Sequence, residues 1–134
     1  MGAWGAGNFE NDTALDWVWD LKRSTDLCVV EAAISDVLNC GDYLDADVGC
    51  IGLAAAEVVA ALRKKPMDGL PEEVSRWVET HKVVPSDALV KDSLAAVDKI
   101  RNDDISELKE LWEEGGDPPT EWYSVLDNLA ARLQ

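Results

Sequence analysis

Hydrophobic residues recur along this chain at intervals of three and four positions, which is the spacing of one face of an α-helix. The second of the segments with this pattern is the clearest, and its apolar positions are Leu27, Val30, Ile34, Val37 and Leu38. Ser24 is a residue type that commonly caps the N-terminus of a helix, and Gly41 is one that commonly follows the C-terminus. The pattern therefore predicts a helix between these two residues.

The segment from about Asp47 to Lys64 differs, because apolar residues occupy every side of the predicted helix. A helix that is hydrophobic around its whole circumference has to be buried among other helices. We therefore expect this third helix to form the centre of the protein. Glu57 is the only charged residue in its apolar stretch.

Further segments repeat the helical spacing, and each starts with residues that favour a helix N-terminus. Their predicted starts are Asn11 or Asp12, Pro71, Pro85-Ser86, Asp103-Asp104 and Asp117-Pro118. No segment alternates between apolar and polar residues with a period of two, so we predict no strand. The predicted fold is all-α, a single compact domain over residues 1–134 with six to seven helices around the central apolar helix. A loop rich in glycine and tryptophan, residues 1–11, precedes the first helix.

The net charge of the chain indicates which classes of partner it can bind. Asp and Glu number 27 against 12 Lys and Arg, which gives a net charge of −15. A negative field repels phosphate backbones and anionic lipid surfaces, so direct binding to nucleic acid or to a membrane is not expected. The same field attracts basic proteins and speeds their association. The alternative is that the charge serves only to keep the protein soluble.

The remaining composition predicts a cytoplasmic protein without a metal or cofactor. Cys28, Cys40 and Cys50 are odd in number and form no CxxC motif, so neither a disulfide framework nor a zinc site is indicated. The start of the chain lacks the basic and apolar regions of a signal peptide, and no apolar run is long enough to cross a bilayer. His81 is the only histidine, so we expect no Ser-His-Asp or Cys-His catalytic site and no multi-histidine metal site. We assign no catalytic residue.

The N-terminal motif resembles the start of a bacterial family catalogued as domain of unknown function DUF4259. The motif reads Met1-Gly2-Ala3-Trp4-Gly5-x-Gly7-x-Phe9-x-Asn11-Asp12-x-Ala14-x-Asp16-Trp17. Residues 54–60 and 106–114, together with Gly116-Asp117 and Glu121-Trp122, are similar to the same family, so the resemblance covers nearly the whole chain. It implies little about chemistry. Some members look like immunity proteins encoded beside secreted antibacterial toxins, including toxins with an ADP-ribosyltransferase domain.

The polar residues of the N-terminal motif have two interpretations. In the structural one, carboxylates accept backbone N–H bonds from the glycine loop while two aromatic rings fill the core. The residues with this assigned role are Trp4, Phe9, Asn11, Asp12 and Asp16. In the catalytic one, the two aspartates form a carboxylate pair around a substrate held by the loop amides.

Glu57 also has two interpretations. A buried carboxylate costs several kcal/mol unless it is paired or hydrogen-bonded. The structural interpretation is that Glu57 accepts bonds from the glycine loop or pairs with Arg23. The alternative is a general base with a raised pKa, which together with Asp12 and Asp16 would make a small hydrolase, for example one that reverses ADP-ribosylation.

Two acidic segments are the candidates for binding a partner. The first is the connection after the second helix, which holds Tyr43 among aspartates and lacks the spacing of a calcium-binding EF-hand. In the second, the spacing of Asp103, Glu107, Glu110 and Glu114 predicts one acidic helical face. Aromatic and charged residues together suit a protein interface, whereas a plain solvated surface is the alternative. The predicted partner-binding residues are Asp42, Tyr43, Asp45, Asp47, Glu110 and Glu114.

The leading hypothesis is an immunity protein. It would bind a cognate antibacterial toxin domain, itself basic, and cover the toxin's active site, which requires no catalytic residue of its own. The alternatives are the small hydrolase described above and an acidic mimic of nucleic acid that occupies a DNA- or RNA-binding protein.

Overall fold

Seven helices and no strand make up the part of the chain that the computed structural model describes, which is residues 5–114 and 119–134. They are α1 (Asp12–Arg23), α2 (Cys28–Leu38), α3 (Ala46–Leu62), α4 (Glu72–His81), α5 (Asp87–Asn102), α6 (Glu107–Glu113) and α7 (Thr120–Leu133). The all-α prediction is confirmed. None of these helices combines the length and the apolar character that crossing a membrane requires.

The central position predicted for the third helix is confirmed. Nearly every residue of α3 from Gly49 to Ala61 is buried, and each of the other six helices contacts it. Gly52 allows the closest of these approaches, because a Cβ atom at this position would lie 2.5 Å from Cγ2 of Val37 on α2. The apolar stripes of the surrounding helices complete one hydrophobic core.

Three predicted helix starts agree with the structure and two are wrong. Asn11 and Ser86 cap α1 and α5 through side-chain oxygens, and Pro71 precedes α4. Ser24 instead ends α1, and α2 begins at Cys28, whose N–H donates to the Asp26 carboxylate at 3.0 Å. The start predicted at Asp117-Pro118 lies outside the described residues; α7 begins at Thr120.

The second wrong start is Asp103-Asp104, since α6 is capped by Ser106. The Ser106 hydroxyl donates to the Ile100 carbonyl at 2.7 Å and accepts the N–H of Lys109 at 3.3 Å, so one buried side chain joins α5 to α6. Asp103 follows the last residue of α5, and its carboxylate accepts the N–H of Ile105 at 3.1 Å. Tertiary contacts therefore select Ser106 over the nearby aspartates.

The connection between α2 and α3 is joined to the connection between α5 and α6 by backbone hydrogen bonds. The N–H of Leu44 donates to the Ile105 carbonyl at 3.0 Å, and the N–H of Glu107 donates to the Leu44 carbonyl at 2.9 Å. These two bonds form an isolated parallel bridge. The Leu44 side chain is fully buried, so the acidic connection is anchored at its middle.

Candidate protein-binding surface

The backbone bridge at Leu44 brings two acidic segments of the sequence together. Six side chains near this bridge are exposed or partly exposed, and we call them the acidic–tyrosine surface. They are Asp42, Tyr43, Asp45, Asp47, Glu107 and Glu110. Tyr43 is 54% exposed and is one of the few large hydrophobic residues that are so accessible. The fold thus places an exposed aromatic ring among carboxylates.

Glu107 holds this surface in shape. One of its carboxylate oxygens accepts the N–H of Ala46 at 2.8 Å, at the first turn of α3. The interaction of the Glu107 carboxylate with the Tyr43 hydroxyl raises the pKa of Tyr43 to about 12. The bonds from Tyr43 and Ala46 lower the pKa of Glu107. Glu107 is therefore a neighbour both of the Tyr43 hydroxyl and of the first turn of α3.

The other carboxylates of the surface are not neutralised by a salt bridge among the described residues. Within the described ranges, no salt bridge involves Asp42, Asp45, Asp47 or Glu110. Asp45 caps α3, and Asp47 accepts the Thr13 hydroxyl at 3.2 Å. Their negative field reaches Cys50, whose pKa is raised to about 11 by burial and then by Asp47 and Asp45.

The acidic helical face predicted from four spaced residues is wrong in one respect. Asp103 lies beyond the end of α5 and before α6, so it does not share a helix with Glu107, Glu110 and Glu114. Glu114 follows the last residue of α6 and is exposed, one turn beyond Glu110. Glu107 was absent from the predicted partner-binding residues. Its role depends on Tyr43 and Ala46, which no local spacing links to it.

Glu57 is sealed inside the protein and its charge is balanced there. The residue is 1% exposed. Arg132 on α7 donates to both of its oxygens, at 2.7 and 3.1 Å, and the Asn8 side-chain amide donates at 2.7 Å. The predicted contact with the glycine loop is therefore present through Asn8. The partner guanidinium is not that of Arg23, which pairs with Asp20 at 3.0 Å.

The N-terminal motif is held mainly by residues other than its two aspartates. Phe9 is buried in the core and the Asn11 side chain accepts the N–H of Ala14 at 2.8 Å, as predicted. The loop N–H of Gly7 donates to the Glu10 carboxylate at 3.0 Å. Asp12 and Asp16 are exposed and accept no bond from the described part of the loop, contrary to expectation. Trp4 lies outside the described residues.

The carboxylates of the hydrolase hypothesis are not brought together. Glu57 is enclosed, whereas Asp12 and Asp16 face solvent on α1. The cavity beneath the glycine loop, beside Asn8 and Cys50, has a volume of about 10 Å³ and is not lined by Glu57. Among the described residues, no three Asp, Glu, His or Cys side chains are grouped as metal ligands.

The fold and this surface define a small, acidic, all-α protein whose exposed carboxylates surround an exposed tyrosine. The chain belongs to the family described as domain of unknown function (DUF4259), whose sequence model matches residues 2–124. No curated protein and no solved structure matches it significantly.

Proposed function

We propose that this protein is an immunity protein of the cytoplasm that binds a cognate, basic antibacterial toxin domain and covers the toxin's active site. The toxin class suggested by the family resemblance is an ADP-ribosyltransferase. The observation that carries the proposal is the acidic–tyrosine surface, in which carboxylates that form no salt bridge within the described ranges flank the exposed Tyr43. Occlusion of an active site requires no catalytic group on the inhibitor.

The geometry suits tight capture of a basic protein. Tyrosine is enriched among residues that dominate binding energy, because it buries a large area at a small cost in conformational entropy. Carboxylates without cationic neighbours attract a basic surface at long range and raise the association rate, an effect that salt screens.

The test is binding to the toxin domain encoded beside this gene, measured by biolayer interferometry at low salt and at about 0.5 M salt. Tyr43→Ala should speed dissociation by about tenfold or more, because the ring contributes short-range contacts. Val84→Ala is the matched control, since Val84 is 86% exposed and is not part of the acidic–tyrosine surface. Loss of protection on co-expression with the toxin should accompany the faster dissociation.

The contribution of the surface carboxylates to the association rate is tested separately. Asp42→Asn combined with Asp45→Asn should slow association at low salt, and Asn at position 45 retains the ability to cap α3. Asp68→Asn combined with Asp92→Asn changes the net charge equally at exposed sites elsewhere. Equal association rates for the two double variants, or no binding of the toxin at low salt, would reject the proposal.

The mimicry hypothesis uses the same surface but a different partner. If the captured protein binds DNA or RNA, and the nucleic acid displaces this protein competitively, the result would support mimicry of nucleic acid and would reject occlusion of a toxin's active site. The hydrolase hypothesis has no observation in its favour, because its carboxylates lie apart.

A further inference from the structure

A groove lies on the surface of the protein between α1 and α2, above Ile51 of α3. Both helices pack on α3, but they contact each other only slightly. The space between them measures about 600 Å³. Its apolar lining consists of Trp17, Val29, Ala32, Ala33 and Ile51.

Carboxylates border this apolar lining on both helices. Asp20 lies on the α1 side and Asp36 on the α2 side. The single cation at the groove, Arg23, is already bound to Asp20 at 3.0 Å. Asp36 makes no salt bridge in the part of the chain that the structure describes.

The acidic border extends along α1. Asp12, Asp16 and Asp20 follow one another at intervals of four, and all three are exposed. Residues with this spacing lie above one another on a helix, so the three carboxylates form a line that ends at the groove. Asp12 and Asp16, which accept no hydrogen bond from the described part of the N-terminal loop, therefore belong to this exposed acidic line.

We propose that the groove binds an amphipathic helix of a protein partner, with apolar residues facing the groove and Lys or Arg on both flanks. Val29 and Asp36 are seven positions apart on α2, which corresponds to about 10 Å, or two helical turns. A helix bound over two turns presents apolar anchors at positions i, i+3 or i+4, and i+7.

The chemistry of the groove favours a helix over the other occupants. Its walls are helices whose backbone groups are bonded internally, so they offer no edge to which a strand could add. A second copy of this chain would bring another net charge of −15 and would be repelled. A basic helix satisfies its own backbone and neutralises Asp36 on the α2 side and the exposed Asp16 beside the groove on α1.

The test uses a synthetic helical peptide of about 18 residues made of leucine and lysine, with the leucines on one face. Its matched controls are a peptide of the same composition with scattered leucines and an amphipathic peptide with glutamate in place of lysine. Amide chemical shifts of the full chain locate the site, and fluorescence anisotropy gives the affinity. We expect the first peptide alone to bind, with shifts in α1, α2 and near Ile51.

Two variants test the groove itself. Ala32→Arg places a long cation in the apolar lining and should weaken binding by about tenfold or more. Ala131→Arg, at an exposed position of α7, makes the same change away from the groove and should have no effect. Asp36→Lys, which reverses one border charge without adding bulk to the lining, should also weaken binding. Circular dichroism establishes that each variant is folded.

Several outcomes would overturn the groove proposal. They are equal binding of the scattered peptide, shifts confined to residues 42–47, insensitivity to both Ala32→Arg and Asp36→Lys, and a dimer of the free protein that Ala32→Arg dissociates. Because the probe is a peptide rather than the toxin, failure here is distinct from failure of the proposed function at Tyr43.

Discussion

Glu57 and the acidic–tyrosine surface show two opposite uses of carboxylates in one small protein. Glu57 is 1% exposed and receives bonds from Arg132 and Asn8. Asp42 and Glu110 are exposed and have no salt bridge among the described residues. Burial explains the difference, because water stabilises a charge at the surface but is absent inside.

The comparison shows which carboxylates remain available to a partner. The bonds to Glu57 join the N-terminal loop, α3 and α7, so this carboxylate stabilises the fold. The carboxylates of the acidic–tyrosine surface keep a long-range negative field, because no salt bridge in the described part of the chain neutralises Asp42, Asp45, Asp47 or Glu110. Glu107 lies between these extremes, since it is partly exposed yet bonded to the backbone N–H of Ala46 and lowered in pKa by its interaction with Tyr43.

The largest expected effect is on Glu57. Glu57→Gln removes the charge that balances Arg132, whose side chain is only 15% exposed. We expect the free energy of unfolding to fall by about 3–5 kcal/mol, which is typical when one partner of a buried pair is lost. Urea denaturation measures it. Glu72→Gln, which removes an exposed partner of Arg76, should cost no more than about 0.5 kcal/mol.

A double variant separates charge from packing at this site. Glu57→Leu combined with Arg132→Leu removes both charges, and apolar pairs often replace buried ion pairs without loss of stability. The double variant should therefore be more stable than Glu57→Gln. If it is equally unstable, the unpaired guanidinium is not the cause of the loss, and the description of Glu57 as a balanced charge is wrong.

The sequence predicts the fold better than the starts of its helices. Apolar spacing predicts the helical segments and the central position of α3, because each apolar stripe has to be buried somewhere. The errors at Ser24 and Asp103 have one origin. Each lies within three residues of the side chain that accepts a first-turn N–H instead, Asp26 or Ser106, and for Ser106 the contact with the Ile100 carbonyl of α5 favours that choice.

The sequence also predicts the type of candidate site but not its pairings. Burial of Glu57 follows from its apolar neighbours, whereas Arg132 is 75 residues away and no pattern identifies it as the partner. The exposed Tyr43 among aspartates is visible in the sequence. Its interaction with Glu107 is not visible there, because a backbone bridge at Leu44 brings the two segments together.

A smaller effect is expected at Glu107, and it depends on pH. The pKa of Glu107 is lowered from 4.5 by its bonds to Tyr43 and Ala46. A lowered pKa in the folded state contributes stability above the unfolded value, and that contribution is lost as the pH falls through the folded value. The melting temperature of the wild type should therefore exceed that of Glu107→Gln at neutral pH, and the difference should shrink below about pH 4.5.

The same variant has a signature at high pH. Tyr43 should titrate closer to its ordinary pKa of 10.0 in Glu107→Gln than in the wild type, where the pKa is about 12. Carbon-13 shifts of the tyrosine ring near pH 11 should show Tyr43 largely neutral in the wild type and more ionised in the variant. Tyr43→Phe identifies its signal. An unchanged titration would mean that Glu107 does not hold the ring.

The smallest expected effect is at Asp42, whose carboxylate bonds to nothing in the described parts of the chain. Asp42→Asn should change the free energy of unfolding by no more than about 0.5 kcal/mol, with a slight gain where repulsion from nearby carboxylates is relieved. Asp68→Asn is the control in the same urea denaturation series. A loss above about 1 kcal/mol would mean that Asp42 supports the fold, as Glu57 does, and is not free to attract a partner.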